Sequence, residues 1–421
     1  MFRRFSDLLH AKNTETTRWV STISATTIFS GTAASLTLIA GVLISRTLPV
    51  EDVGRYGLLL SLIQLLPLFG ALGQPALMTR IYSLNPLGVF DWAIDIKNSF
   101  IIELPTLLLA ILGSVLIYHL TSFQSLFVGS AILLTALIHD AVALLNAHRQ
   151  YIWANLLLRI PGATTFFPAF LGLFIPLFAN LDVILITIIL AIFCMALLSL
   201  YLLGKYSSHG EKHIPLRTRL LGLGFMVLIA THFVPFQGLT VLGGILVPLD
   251  QLAALTAFSI LLRPFNLLRE VITQMMSVEM ARNPKLNHQR IAFWLWSSAI
   301  ILGGLAILLL PLITPYLYGN RYNTYIDLIF PLAISGALVM AEILPRSYLT
   351  ARAEAHLLNL FVTAHLVTAI LGVGIAILLG FHAGIIGIAW AGAIILIIRN
   401  LCGYGFYFYT MKTKKILPSP L

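Results

Sequence analysis

The sequence predicts an all-α polytopic membrane protein with about twelve transmembrane helices in two six-helix bundles, related by a pseudo-two-fold axis along the membrane normal. Of its 421 residues, 59% are hydrophobic and only 10% are charged, and the mean hydropathy is +0.94. A soluble domain carries about 25% charged residues, so this composition excludes an ordinary globular enzyme. Long apolar stretches follow one another along the whole chain, and the polar connections between them are short.

Each apolar stretch is long enough to form a membrane-spanning helix, which needs about 20 residues at a rise of about 1.5 Å per residue. The connections carry most of the basic residues. The stretches that meet the length criterion are 19–45, 55–79, 97–120, 124–147, 152–178, 182–204, 220–246, 253–279, 291–317, 325–350, 355–379 and 384–409.

The basic residues of the connections predict the orientation. Alternate connections hold nearly all of the lysines and arginines, and only Arg46, Arg55 and Arg321 fall on the other side. By the positive-inside rule, both termini are then cytoplasmic. The net charge of +10 reflects this bias, which suits anionic lipid of the inner leaflet and gives no reason to expect nucleic acid. Cys194 and Cys402 fall within apolar stretches and predict packing residues rather than a disulfide.

Residues 205–219 form the longest polar interruption and divide the chain into two halves. We predict a cytoplasmic interfacial segment at 1–18, without a cleavable signal, and lobes at 19–204 and 220–409 joined by the cytoplasmic loop 205–219. A cytoplasmic tail follows at 410–421. A weak internal repeat supports the division. It comprises Pro49-Val-Glu-Asp after the first stretch, Pro248-Leu-Asp-Gln after the seventh, and Arg80 and Arg282 at similar later positions.

Three motifs resemble those of the polysaccharide-unit (Wzx-type) flippases of the multidrug/oligosaccharidyl-lipid/polysaccharide superfamily. They are Ile44-Ser-Arg-Thr-Leu-Pro-Val-Glu-Asp-Val-Gly-Arg-Tyr-Gly57, Leu317-Tyr-Gly-Asn-Arg-Tyr322 and Ala383-Gly-Ile-Ile-Gly-Ile-Ala-Trp-Ala-Gly392. The resemblance covers the whole chain in order and spacing. In the second half, Ala253-Ala-Leu255 replaces the Gly54-Arg-Tyr56 of the first.

The resemblance implies a flippase rather than an enzyme, with no cofactor. Its substrate would be an undecaprenyl-diphosphate-linked oligosaccharide for O-antigen, capsule or exopolysaccharide synthesis, carried through a cationic cavity between the lobes. H⁺ or Na⁺ coupling and a polysaccharide polymerase or chain-length regulator are the partners that would accompany such a role.

Charged side chains within the apolar stretches are the candidate site residues, because a charge near the bilayer centre costs at least about 2.5 kcal/mol. A guanidinium stays charged when desolvated and can bind two phosphate oxygens at once, so it suits a diphosphate head group. Two structural explanations are alternatives to a role in binding. Arg346 pairs with Glu342 one helical turn away, and the long side chains of Arg269 and Arg399 extend to the inner membrane interface. The substrate-binding candidates are Arg159, Arg263, Arg269 and Arg399.

The other polar residues within the stretches are candidates for lining the cavity or coupling transport to an ion. Arg263, Asn266, Glu270 and Gln274 recur at three- and four-residue spacing, which places them on one helical face. The acidic residues either neutralise the arginines or bind a coupling cation. These candidates are Glu103, Asp140, Asn266, Glu270, Gln274 and Glu342.

Two other functions remain open from the sequence. A cation-coupled exporter of drugs or metabolites would share the fold, and Glu103 and Asp140 are compatible with it, although the intramembrane arginines argue against a cationic substrate. A membrane-embedded glycosyltransferase, ligase or polymerase would need a larger extramembrane acceptor site. The sequence contains no metal-ligand cluster, P-loop or nucleophile constellation for such chemistry.

Overall fold

The fold is taken from a computed structural model, which describes residues 28–84, 91–206, 210, 212–282 and 287–413. The interfacial segment predicted at 1–18 and residues 414–421 of the predicted tail lie outside these residues. We call the side of the molecule where the described chain begins and ends the terminal face, and the other side the opposite face. The terminal face is the one that the sequence predicts to be cytoplasmic.

The first half of the described chain forms six passes. α1 (Ile28–Thr47) is one pass, and α2 (Val50–Gly70) with α3 (Gln74–Leu84) is the second. α4 (Trp92–Tyr118) and α5 (Ser122–Ala147) follow. The fifth pass is broken into α6 (Tyr151–Ala163), α7 (Phe166–Leu171) and a 3₁₀ turn (Pro176–Phe178), and α8 (Leu181–Tyr206) is the sixth.

The second half repeats this number of passes. α9 (Leu216–Arg219), α10 (Gly222–Phe233), a π-helical turn (Val234–Gly238) and α11 (Leu239–Leu246) make the seventh pass, and α12 (Leu249–Leu261) with α13 (Arg263–Arg282) makes the eighth. α14 (His288–Tyr318) and α15 (Ile329–Arg352) are joined by a 3₁₀ segment (Gly319–Leu328). α16 (Ala355–Thr413) supplies the last two passes.

Eight helical runs among the described residues are long and apolar enough to cross a membrane. Two of them, His288–Arg352 and His356–Thr413, have about twice the length of one pass and turn back on themselves. The second run turns at Gly384, whose φ of 59° favours glycine because a Cβ is strained there. With the two broken passes, α6–α7 and α12–α13, the described chain crosses twelve times, as the sequence predicts.

The passes pack as two groups of six. α5 contacts α2, α3, α4, α6 and α8 in the first group, and α15 contacts α13, α14 and α16 in the second. The groups meet where α2 packs against α12 and where α10 and α11 pack against α2 and α3. α2 and α12 occupy corresponding places in the two halves, and each begins directly after a proline, Pro49 and Pro248. This equivalence agrees with the repeat seen in the sequence.

Candidate functional site between the two helical groups

A pocket of about 80 Å³ lies between the two groups of helices. α2 forms its wall on the first group, and the π turn, α11, α12, the start of α13 and α15 form its wall on the second. Its lining is polar for the interior of a membrane protein. The lining residues are Gly57, Leu60, Ser61, Gln64, Phe236, Gln237, Thr240, Thr256, Ser259, Ile260, Leu262, Arg263, Asn266 and Leu332.

Arg263 is the charged residue of this lining. It lies about 21 Å along the eighth pass from Leu249, by the rise of an α-helix, and so deep in the membrane. Its side chain is half-buried and makes no hydrogen bond or ion pair among the described residues. α12 ends at Leu261 and α13 begins at Arg263, so the positive end of the α13 dipole is also directed at the pocket. Both features favour an anion here.

Amide groups supply the remaining unsatisfied polar atoms of the pocket. Gln237 Nε2 of the second group donates to Gln64 Oε1 of the first at 3.0 Å. Gln237 Oε1 and Asn266 Oδ1 are buried and accept no hydrogen bond from a described residue. Since buried polar atoms are normally paired, these two oxygens are free acceptors for a hydroxyl or a water molecule.

The pocket is closed toward the opposite face of the molecule, where α2 packs closely against α12. A Cβ added at Gly57 would lie 2.0 Å from Thr256 Oγ1, and one added at Gly54 would lie 2.3 Å from the carbonyl oxygen of Leu249. Only glycine permits such an approach of the two backbones. The glycines of the Ile44–Gly57 motif therefore have a structural role at the junction of the two groups.

Arg321 reinforces the closure at the opposite face. Its Nη1 atom donates to the carbonyl oxygen of Ser45 at 3.0 Å and to that of Arg46 at 3.4 Å. These carbonyls belong to the last turn of α1, whose C-terminus carries the negative end of the helix dipole. Tyr322 Oη also donates to the Ser45 carbonyl, at 3.4 Å. The 3₁₀ segment of the second group thus caps a helix of the first.

A second contact between the groups lies at the terminal face, and we call it the terminal-face latch: Arg219 with Gln74, Asp95 and Ser99. Arg219 is 3% exposed, and its Nη2 atom lies 2.5 Å from Asp95 Oδ1. Nη1 donates to Ser99 Oγ at 2.8 Å and to Gln74 Oε1 at 3.4 Å. Arg219 belongs to α9 of the second half and its partners to α3 and α4 of the first.

Asp95 is held by donors from both sides of the latch. Besides Arg219, its Oδ1 atom accepts from the backbone N–H of Ile214 at 2.9 Å, and its Oδ2 atom accepts from Tyr82 Oη at 2.8 Å. Gln74 Nε2 donates to the Arg219 carbonyl at 3.0 Å. Tyr82 is half-buried and the other partners are buried, and together they tie the loop before the seventh pass to the first group.

Arg399 and Glu342 are brought together, away from the pocket. The Arg399 guanidinium is fully buried and pairs with Glu342 Oε1, while His232 Nδ1 lies 3.7 Å from Glu342 Oε2. Arg399 Nη1 also donates to the Thr231 carbonyl at 2.6 Å. Pro235, four residues on, has no N–H to offer that carbonyl. Arg399 thus joins α16 to α15 and to the proline break after α10.

The other predicted site residues with described side chains lie apart from this pocket lining. Arg269 is buried, with its guanidinium 5.9 Å from the centre of the Phe233 ring, and Arg159 lies half-buried on α6. Glu103 on α4 and Asp140 on α5 are both fully buried in the first group. The predicted residues Glu270 and Gln274 belong to α13, and their side chains are outside the described part of the structure. Of the candidates whose side chains are described, Arg263 and Asn266 line the pocket.

Several residues of the site were not anticipated from the sequence. Gln64, Gln237 and Ser259 line the pocket as isolated polar residues in apolar stretches, which was the available signal. The sequence places Arg219 only among the basic residues of the connections, and it gives no pattern that distinguishes Asp95. Their pairing depends on two segments more than 120 residues apart, which no local pattern reveals.

Comparison with solved structures identifies proteins of the same fold. The structure "Lipid II flippase MurJ, inward closed conformation" has a TM-score of 0.68 and 14% identity, over 93% of this chain and 87% of that chain. "Crystal structure of MATE in complex with MaD3S" has a TM-score of 0.61 and 13% identity, over 93% and 96%. A multidrug resistance MATE family transporter of the MOP superfamily, in an inward-facing conformation, has a TM-score of 0.54 and 14% identity, over 90% and 96%.

No protein-family model matches the sequence. No curated protein matches it at significant sequence similarity. At 13–14% identity, the likeness to MurJ and MATE establishes the fold, a two-lobe, twelve-helix architecture, and not the function or the substrate. From here on, the first six passes are called the N-lobe and the last six the C-lobe.

Proposed function

We propose that this protein is a flippase that moves an undecaprenyl-diphosphate-linked oligosaccharide across the bacterial inner membrane for surface polysaccharide synthesis. The single observation that carries the proposal is Arg263, a guanidinium in the inter-lobe pocket that has no anionic partner among the described residues. A diphosphate supplies that partner, and a guanidinium binds phosphate oxygens through two parallel hydrogen bonds.

The surroundings of Arg263 suit such a head group. The N-terminal end of α13 adds a positive dipole, and the free Gln237 Oε1 and Asn266 Oδ1 atoms can accept hydrogen bonds from sugar hydroxyls. The lipid tail needs no pocket, because α4 and α14 present mostly exposed apolar surface to the membrane. The similarity to a structure titled as a lipid II flippase agrees with a lipid-linked substrate.

The size of the pocket determines what must move. At about 80 Å³ it is far smaller than the ~300–1,000 Å³ of sites that enclose drug-sized ligands. It therefore accommodates a phosphate-sized group but not an oligosaccharide. The head group enters only when the lobes separate at one face, and the terminal-face latch is the contact that opens on the predicted cytoplasmic side. Separation at the opposite face then releases the head group.

A cation-coupled exporter of the same fold is the second candidate. The MATE structures favour it, since two of the three similar structures described above carry that name. Against a cationic cargo, the described lining of the pocket has an arginine and no carboxylate. A cationic drug would be repelled from that pocket at close range.

The test uses a strain that lacks this protein, complemented with variants. With wild type, mass spectrometry of lipid extracts should show a low level of lipid-linked oligosaccharide. Arg263→Ala should cause the finished unit to accumulate, with transport reduced about 10- to 150-fold for the loss of one charge-assisted hydrogen bond. Arg263→Lys should retain part of the activity, since it keeps the charge without the bidentate geometry.

Arg290→Ala is the matched control, because Arg290 is an exposed arginine at the start of α14, outside the pocket. An impermeant sugar-modifying reagent should show the accumulated lipid in the inner leaflet, which separates a flippase from a polymerase. Full transport by a well-inserted Arg263→Ala protein would contradict the assignment. An unchanged lipid-linked pool in the deletion strain, with altered sensitivity to cationic drugs, would favour the exporter.

A further inference from the structure

A cluster of charged and polar side chains lies inside the C-lobe, apart from the pocket between the lobes. Its ion pair, Arg399 with Glu342, is described above, and Glu342 lies about 15 Å from the end of α15 at Arg352 by the helical rise. The other members come from α10, α13, α15 and the first half of α16. We call this the C-lobe polar cluster, and its members are His232, Arg269, Glu342, Arg346, His365 and Arg399.

Positive charge exceeds negative charge in the C-lobe polar cluster. The sequence allows a pair between Arg346 and Glu342, one turn apart, but Glu342 pairs with Arg399 instead. Arg346 makes no hydrogen bond or ion pair with a described residue. Among the described side chains, Glu342 is the carboxylate that acts on Arg346, while Arg399 and Arg269 act on it as like charges. One guanidinium charge is therefore left without a counter-charge from these side chains.

The same cluster contains hydrogen-bond donors without acceptors. Arg399 Nε is buried and has no partner among the described residues, although both Nη atoms of that guanidinium are paired. His365 is 1% exposed, and neither of its ring nitrogens has a partner there. Whichever tautomer is present, one of these nitrogens carries a hydrogen that it can donate. Arg399 and Arg346 both act electrostatically on His365, so the unpaired donors lie in the same region of positive potential.

We propose that the C-lobe polar cluster binds a small monovalent anion, chloride in the cell, between Arg346, Arg399 and His365. The anion supplies the counter-charge that Arg346 lacks, and it accepts hydrogen bonds from Arg399 Nε and from the His365 ring. A buried charge or donor without a partner is costly, so filling the site stabilises the folded C-lobe. Arg346 is half-buried, so the cluster is not sealed from outside. The bound anion joins α15 to both halves of α16.

A cation fits this cluster less well than an anion. Glu342 Oε2 and Asn400 Oδ1 are also buried and unpaired among the described residues. A cation bound to these oxygens would lie among the guanidinium groups of Arg346 and Arg399, which repel it. The described residues also contain no group of three or more His, Cys, Asp or Glu side chains placed to hold a metal. The inference is independent of the proposed function, which concerns Arg263 and the pocket between the lobes.

The first experiment measures the thermal unfolding midpoint of the purified wild-type protein in lipid–detergent micelles. Chloride replaces gluconate at constant pH and constant ionic strength, so that general screening by salt does not change. A ligand that binds only the folded protein raises the midpoint as its concentration exceeds the dissociation constant. The midpoint should rise with chloride, and bromide should reproduce the rise. A midpoint that does not respond to either halide would overturn the proposal without any variant.

Variants then assign the response to the C-lobe polar cluster. They are made in an Arg263→Gln background, because the guanidinium in the pocket is a second place where an anion can bind. Arg263→Gln alone should keep a chloride response, and adding Arg346→Gln should abolish it. Arg290→Gln in the same background is the matched control, an exposed arginine that should leave the response intact. Loss of the response in Arg263→Gln alone, or its survival after Arg346→Gln, would overturn the proposal.

The sign of the Arg346→Gln effect provides a further check. In gluconate this change removes a charge that has no counter-charge, so the midpoint should equal or exceed that of the Arg263→Gln parent. In chloride the midpoint should fall below that of the parent. An equal loss of stability in both salts would mean that Arg346 is paired within the protein, and it would overturn the proposal.

The second experiment locates the ion and needs no variant. Wild-type crystals are grown with bromide in place of chloride, and the anomalous scattering of bromide gives its position. A bromide peak within hydrogen-bonding distance of Arg399 Nε or of a His365 ring nitrogen would support the site. Peaks only beside Arg263 in the pocket, or only at the protein surface, would overturn it.

Discussion

Replacing Arg399 tests whether this arginine stabilises the fold or binds the proposed substrate. Arg399→Ala leaves Glu342 as a buried carboxylate without its partner, which costs about 3–5 kcal/mol in comparable pairs. The same change leaves the Thr231 carbonyl without its donor, for about 1–3 kcal/mol more, because Pro235 has no N–H to replace it. The two effects together amount to about 4–8 kcal/mol, a large part of the 5–15 kcal/mol by which a typical protein is stable.

The expected result is a loss of folded protein rather than a selective loss of transport. The free energy of unfolding can be followed by tryptophan fluorescence as sodium dodecyl sulfate is added to the protein in lipid–detergent micelles. A Glu342→Gln, Arg399→Met double variant removes both charges at similar volume and should recover all but about 1–3 kcal/mol, the cost of the unpaired Thr231 carbonyl.

The opposite outcome would refute this reasoning. If Arg399→Ala unfolds at the wild-type detergent fraction but no longer transports, Arg399 contacts the substrate in another conformation. Arg263→Ala provides the comparison within the same protein, since Arg263 has no partner to leave unpaired among the described residues. It should keep the wild-type stability while losing transport.

Two further predictions concern the closure at the opposite face. Gly57→Val should separate α2 from α12, because even a Cβ would lie 2.0 Å from Thr256 Oγ1. An impermeant maleimide added at the opposite face should then label a single cysteine introduced at Ser61 faster than in the parent protein. Gly113→Val is the control, with nothing within 4 Å of the added Cβ, and unchanged labelling of Gly57→Val would show that the face is not closed by this contact. Arg321→Ala should speed the same labelling about 10- to 150-fold, through loss of the hydrogen bonds to the Ser45 and Arg46 carbonyls. Arg55→Ala, an exposed arginine on α2, should have no effect, and equal labelling in the two variants would contradict a role for Arg321 in closure.

The twelve passes were predictable because the bilayer imposes a length and a composition on each of them. The residues at which the helices begin were less predictable. α2 begins at Val50 and α12 at Leu249, each about four residues before the predicted start, since Pro49 and Pro248 cap these helices while the hydropathy rises only later. The break between α12 and α13 at Leu262 lies beside Pro264, a residue type that bends or breaks a helix, and it places Arg263 in the pocket.

The pairs among the charged side chains were not predictable from the sequence. Charge in an apolar stretch singled out Arg263 and Arg399 and gave them the same expected role. In the structure Arg263 faces the pocket, whereas Arg399 pairs with Glu342 because α15 packs against α16. Arg219 is the opposite case. Its position at the end of a polar loop predicts an exposed residue, but it forms a buried ion pair with Asp95.

The latch at one face and the Arg321 contact at the other use different arginines on different elements, and both are made in the same structure. This separation has a consequence for the energy balance of the cell. A route lined by arginine and open at both ends would conduct chloride and phosphate and would discharge the membrane potential. Because the two contacts share no residue, one can break while the other stays intact, and the anionic head group proposed above would pass without an accompanying leak of small ions.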